Sequence, residues 1–202
     1  MTIEKVGIVG AGTMGNGIAQ ALDAAGIETV LTDIAESALQ NAMKTITGSL
    51  DRQLKKEKIT EAQKAATLAK IATSTDMGAI ADCDLVIEAA TENEPLKLKI
   101  FKQLDEIAKP GAFLASNTSS ISITKLAAVT KRPAQVIGMH FFNPVPMMAL
   151  VEIIRGLQTS DATQEATEAL AKRIGKTPVK VRNNPGFVAN RILIPLINEA
   201  IF

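Results

Sequence analysis

The chain has 202 residues, one cysteine, one histidine and a net charge of only +1. Each scarcity excludes something. The lone thiol, Cys83, cannot close an internal disulfide. It stands between Asp82 and Asp84, whose charges raise a thiol's pKa and make it a poor nucleophile, so a quiet structural role is expected. Balanced charge leaves no electrostatic footprint for nucleic acid or an anionic membrane, and neither partner is expected. The N-terminal residues enter an apolar run without a basic segment and a hydrophobic core before it, so no secretory signal is read there. The long uncharged stretch near the start is broken by glycines and turns, which argues against a membrane span. There are no repeats and no low-complexity tract, and no metal site is read. These properties fit a soluble, cytoplasmic enzyme long enough for one full domain and part of another.

What is present begins with the first 33 residues. Lys5-Val6-Gly7-Ile8-Val9 reads as a buried strand, and Gly10-Ala11-Gly12-Thr13-Met14-Gly15 follows at once. A helix continues through 18–22, and a second strand over 28–32 ends at Asp33. The first glycine permits a tight turn, the second lets the backbone approach a pyrophosphate, and the third lets helix and strand pack closely. The helix N-terminus at Thr13 and Met14 offers free N–H groups and partial positive charge to that anion. Asp33 lies about 20 residues on, where a carboxylate accepts hydrogen bonds from an adenosine ribose. Glycines alone are a weak signal, but strand, glycines, helix, second strand and terminal acid in register point to a bound dinucleotide. A carboxylate repels a 2′-phosphate, and Ile34-Ala35-Glu36 contains no arginine to hold one, so NAD is favoured over NADP. The competing role for Asp33 is the N-cap of the following helix.

The α/β rhythm continues. Ala38, Ala42, Ile46, Leu50 and Leu54 form one stripe of a long helix. Lys55, Lys56 and Lys58 crowd its end, where cations complement the dipole, and a charged stretch runs on to Lys64. Strands are expected over 84–88, 112–115, 136–139, 150–154 and 179–181, and helices over 95–108 and 161–174. Ser122 is placed to cap a short helix through Ala128. The alternation predicts an α/β fold of Rossmann type, a doubly wound and mostly parallel sheet covered on both faces. Pro185-Gly186 marks a boundary before a final helix, which divides the chain into 1–184 and 185–202.

Open parallel sheets bind ligands beyond the carboxyl ends of their strands. Three polar groups fall at such ends: Glu92 and Asn93, the run Ser116-Asn117-Thr118-Ser119-Ser120, and His140. Ser119 by itself suits a plain turn equally well. His140 follows Val136-Ile137-Gly138-Met139 and precedes Phe141-Phe142 and an Asn143-Pro144 turn. Imidazole is the side chain best suited to moving protons near neutral pH, although a histidine beside phenylalanines is commonly just packed. Glu152 interrupts the apolar run Leu150-Val151-Glu152-Ile153-Ile154. A buried acid needs a partner, and His140 is the natural one. The alternative leaves Glu152 facing solvent or paired with Arg155. Asn190 falls on a helical stripe with Phe187, Ile194, Ile197 and Ile201. A buried amide there must bond a ligand or a neighbouring helix.

Together, Gly10 to Gly15, Ser116 to Ser120, His140 to Pro144 with Glu152, and Pro185-Gly186-Phe187 with Asn190-Arg191 resemble the L-3-hydroxyacyl-coenzyme A dehydrogenases, in particular their bacterial 3-hydroxybutyryl-CoA branch. The resemblance spans the whole chain, in spacing as well as content. It implies an NAD-dependent oxidoreductase acting at C3 of a 3-hydroxyacyl-CoA or 3-oxoacyl-CoA. It implies His140 as base, Glu152 as its paired acid, and Ser119 and Asn190 as contacts to the reacting oxygen. It places Asn143 in the same pocket, Glu92 and Lys97 near the cofactor, and Ser49 and Lys56 near the coenzyme A moiety. Family members carry an all-α C-terminal domain that closes over the site and forms a homodimer. The sequence reaches only Phe202, so it reads as the nucleotide-binding domain plus the first helix of that domain, with weak activity expected of this form. Two other classes remain open at this point: a sugar-acid dehydrogenase of the L-gulonate type, and a non-catalytic dinucleotide-binding module.

Overall fold

The computed structural model describes residues 2–201; Met1 and Phe202 lie outside the described residues. The elements run β1 (Lys5–Val9), α1 (Thr13–Ala24), β2 (Glu28–Thr32), α2 (Glu36–Lys55), α3 (Glu61–Ala69), β3 (Ile71–Ser74), β4 (Leu85–Glu88) and α4 (Glu94–Ile107). They continue with β5 (Phe113–Ser116), α5 (Ile123–Ala128), β6 (Val136–Phe141), β7 (Leu150–Arg155), α6 (Asp161–Arg173), β8 (Thr177–Arg182) and α7 (Ala189–Ile201). One sheet of eight strands has the order β3-β2-β1-β4-β5-β6-β7-β8. Every neighbouring pair is parallel except β6 and β7. The chain winds outward in one direction from β1 to β3 and in the other from β4, so the crevice between the ends of β1 and β4 is the topological switch point where such sheets take ligands.

The strands are continuous apolar runs because helices cover both faces. On one face Ile8, Leu31 and Ile87 pack against Ile18, Leu22 and Ile46. On the other, Val86 and Leu114 pack against Phe101, Leu104 and Leu126. Among the described residues, four α-helices begin on a side-chain cap. These are α3 on Thr60, which forms a capping box with Gln63, α4 on Asn93, α5 on Ser122 and α6 on Ser160. The expected Ser122 cap is therefore present, and Asn93 serves as a cap. Helix α1 starts on Gly12 with no side-chain cap and no acid in its first turn.

Three expectations change. The charged stretch toward Lys64 is the start of α3, and β3 follows it as the edge strand beside β2. Strand β6 does not stop at Met139: pairing with β7 carries it through His140 to Phe141, in the register His140↔Glu152. The stripe from Phe187 to Ile201 is broken. Phe187 lies ahead of α7 with φ of 52° and is buried, whereas Ile194, Ile197 and Ile201 are exposed.

Candidate active site

The glycine loop joins β1 to α1. Gly10 has φ of +105°, and a Cβ there would lie 2.6 Å from the Ala90 backbone. A Cβ on Gly15 would lie 1.8 Å from the Gly10 carbonyl oxygen. The fold itself demands these two glycines. A Cβ on Gly12 would meet nothing within 4 Å. No packing requires that glycine, and the open space over it adjoins the uncapped N–H groups of Thr13 and Met14. Asp33 does not cap α2, whose N-cap position is Ala35. Its Oδ2 accepts the Ala11 N–H at 2.9 Å and its Oδ1 the Ala35 N–H at 3.0 Å. A carboxylate has about four acceptor positions, so both oxygens keep capacity for a ligand hydroxyl.

Beyond β4 and β5, Glu92 holds the polar run in place. Its Oε2 accepts from Thr118 Oγ1 at 2.7 Å, and its Oε1 accepts from the Ser119 N–H at 2.6 Å and from Ser119 Oγ at 3.0 Å. Beneath this loop, Lys97 differs from the expected cofactor contact. It is 2% exposed, and its Nζ donates to both oxygens of Glu88 at 2.8 and 2.6 Å. Ser116 Oγ donates to the same carboxylate at 2.8 Å. The signal for this buried pair in the sequence is Glu88 itself, an acid closing an apolar strand.

His140 and Glu152 meet across β6 and β7. His140 Nδ1 lies 2.7 Å from Glu152 Oε2, with the two residues 7% and 1% exposed. Arg155, the competing partner, bonds Asp161 instead. Glu152 Oε1 accepts the N–H groups of Val188 at 3.0 Å and Ala189 at 2.9 Å. Burial pushes the Glu152 carboxyl up, but the His140 hydrogen bond and the Ala189 and Val188 N–H groups outweigh it and hold the group below its ordinary value. The rings of Phe142 and Phe187 stand 4.5 and 6.0 Å from the imidazole, centre to centre. Asn190 is half-buried rather than buried, and its Nδ2 donates to the Ser119 carbonyl at 3.3 Å. Hydrogen bonds thus link Glu92, Ser119 and Asn190, while Glu152 ties the start of α7 to His140.

A second cleft of about 560 Å³ opens beside the glycine loop. Thr13, Ser49, Arg52, Lys56, Lys58 and Asn143 line it, three cations with no acid among its walls. The structure therefore brings Ser49, Lys56 and Asn143 together. Cys83 does not line this cleft: burial first, then Asp82, pushes its thiol up to about 12.

The family described as 3-hydroxyacyl-CoA dehydrogenase, NAD binding domain, matches residues 5–184. The chain is 50% identical over 200 residues to 3-hydroxybutyryl-CoA dehydrogenase of Bradyrhizobium diazoefficiens, covering 99% of this chain and 68% of that protein. It is 45% identical over 206 residues to the mitochondrial hydroxyacyl-coenzyme A dehydrogenase of Rattus norvegicus, covering 98% of this chain and 65% of that one. The crystal structure of (S)-3-hydroxybutyryl-CoA dehydrogenase from Ralstonia eutropha superposes with a TM-score of 0.97 at 62% identity, over 98% of this chain and 70% of that one. With the glycine loop, Asp33 and the sheet order already in place, this match shows that the chain belongs to the 3-hydroxyacyl-CoA dehydrogenase family, as its NAD binding domain.

Proposed function

We propose that the protein transfers a hydride between NAD and C3 of a 3-hydroxyacyl-CoA or 3-oxoacyl-CoA of the 3-hydroxybutyryl/acetoacetyl type, with His140 as acid and base. The observation that carries this reading is the buried His140–Glu152 pair set beside Ser119 and Asn190. NAD, when bound, supplies the hydride acceptor. Gly12 leaves room for its pyrophosphate, the first turn of α1 at Thr13, Met14 and Gly15 faces that anion, and Asp33 receives the ribose hydroxyls. Glu92 and Lys97 hold the adjoining loop and strand end, and Asn143 borders both ligands. The CoA moiety fits the cationic cleft at Ser49 and Lys56, where lysine acts as a flexible point charge toward phosphate. Those cations favour an acyl-CoA over a free sugar acid.

Glu152 fixes one tautomer of His140: Nδ1 carries the proton shared with the carboxylate, and Nε2 faces the substrate oxygen. In oxidation Nε2 takes the proton from the 3-hydroxyl, and the Glu152 charge stabilises the imidazolium that results. In reduction the imidazolium returns that proton to the forming alkoxide. Ser119 and Asn190 hold the oxygen in line, which contributes through positioning. Residues 1–184 form the cofactor unit, and 185–202 open the helical part through which a homodimer of acyl-CoA-binding subunits assembles.

The test is steady-state assay with NADH and acetoacetyl-CoA, with a free sugar acid in parallel. His140→Gln is expected to lower kcat about 100-fold or more, in line with the usual worth of acid–base help, and to leave the circular dichroism spectrum unchanged. Equal turnover in variant and parent removes His140 from the mechanism. Turnover of the sugar acid alone replaces the substrate class.

A further inference from the structure

We infer that Asn117 is a positioning residue for His140: its side chain stands in for the strand that β6 has lost where the imidazole sits. The inference rests on the proposed role of His140. Strand β5 pairs with β6 only as far as Ser116↔Gly138. Strand β6 runs three residues further, through Met139 and His140 to Phe141. There it has β7 on one flank, in the register His140↔Glu152 and Phe141↔Val151, and no strand on the other. A strand edge left so, inside the protein, carries an N–H that must find a partner. Asn117 provides it: Oδ1 accepts the Phe141 N–H at 2.9 Å in a buried hydrogen bond.

The anchor is itself fixed. The Asn117 N–H donates to the Glu88 carbonyl at 2.8 Å, which closes the β4–β5 ladder one residue past the end of β5. Glu88 is held in turn by Lys97 and Ser116. One residue further, Thr118 and Ser119 are clamped by Glu92. Asn117 therefore joins two parts of the site that lie 24 positions apart in sequence, the loop with Ser119 and the strand with His140. Strand geometry at Phe141 sets the direction of the preceding Cβ, and so the direction in which His140 presents Nε2. An acceptor at this one point keeps the imidazole aimed while β5 turns away to form the loop. Only a short side chain with a carbonyl-type oxygen does this. Alanine removes the acceptor, glutamine carries it a methylene too far, and aspartate keeps it in place.

The experiment uses the full chain and exploits the presence of a single histidine, whose imidazole signals need no assignment. Asn117→Ala, Asn117→Gln and Asn117→Asp are compared with the parent by amide hydrogen exchange at Phe141 and Ile137, by imidazole nitrogen shifts, and by kcat and KM with NADH and acetoacetyl-CoA. For alanine and glutamine the expected result is loss of Phe141 protection by about tenfold or more with Ile137 unchanged. Their kcat falls about ten- to a hundredfold at constant KM for NADH, the scale of a small misplacement of a reacting group. Aspartate restores Phe141 protection and the parental imidazole tautomer. Lost Phe141 protection with unchanged kcat and imidazole shifts overturns the inference. So does a rise in KM for NADH that accounts for the whole loss, because Asn117 then acts on the cofactor. If alanine fails to fold, the glutamine and aspartate pair decides by the same readouts. A parent that turns over a free sugar acid and not acetoacetyl-CoA sinks the proposed function, while exchange and imidazole shifts still show whether Asn117 orients His140.

Discussion

Two buried carboxylates show how the same burial has opposite consequences. Glu152 is surrounded by donors, and they hold it ionised. Asp23, in α1, is 3% exposed, and neither of its oxygens has a hydrogen-bond partner among the described residues. Burial pushes it up to about 7, with the Lys70 charge opposing that only in part. Between the ordinary value of 3.8 and about 7 the folded state holds a proton that the unfolded state has released, so stability falls as pH rises through this window. The slope is at most about 1.4 kcal/mol per pH unit. Asp23→Asn is expected to flatten it, gaining stability over the parent at pH 8 and little at pH 5 in urea denaturation. Identical pH dependence in the two proteins would mean that Asp23 is solvated or paired. Glu152 works the other way. Its folded value is lowered, so its contribution is present above the ordinary 4.5 and is lost as the pH falls through the folded value.

At the scale of elements, the unit from β1 to β2 was legible because each of its residues does a local job. Val6 and Ile8 fill a core, Gly10 takes a positive φ, and Gly15 lets α1 touch the loop. The pairing of His140 with Glu152 was legible too, since an acid within an apolar strand demands a partner. Other features depend on neighbours distant in sequence. The extension of β6 to Phe141 is made by β7, and the role of Asn117 exists only because β5 leaves the sheet. Phe187 follows a helical spacing yet sits outside α7, where Gly186 at φ of +73° turns the chain. Helix α3 did announce itself through Thr60 and Gln63, the capping box that the charge pattern obscured. The glycine loop gives a prediction at this scale. Gly15→Ala pushes a Cβ into the Gly10 carbonyl and is expected to lower Tm. Gly12→Ala points into open space and is expected to leave Tm unchanged while weakening NADH at least about tenfold, or 1.4 kcal/mol. Unaltered NADH affinity in Gly12→Ala would show that the pyrophosphate does not lie over that residue.

For the whole molecule, the sheet order gathers the chemistry at one rim. The ends of β1, β4, β5 and β6 carry the glycine loop, Glu88, the Ser119 loop and His140. The chain is an NAD-binding oxidoreductase domain in which most large apolar side chains are buried. Helix α7 is the exception. Ile192, Leu193, Ile194, Leu196, Ile197 and Ile201 are all exposed, and none of its residues is buried. So broad an apolar face on a helix is stable only when covered, and a patch of this extent marks an interaction surface. Its attachment is polar and local: Glu152 receives its first N–H groups and Asn190 reaches Ser119. The expected outcome is self-association of the 202-residue protein through α7, seen as a concentration-dependent sedimentation coefficient. Ile192→Glu with Leu196→Glu, one turn apart on the same face, should shift that equilibrium to the monomer. Tm is expected to stay the same, since neither side chain touches the two cores. NADH affinity should also persist, because neither side chain is among the groups that bond the glycine loop or Asp33. A parent that sediments as a monomer at every concentration would show that α7 folds back over the α/β unit in solution.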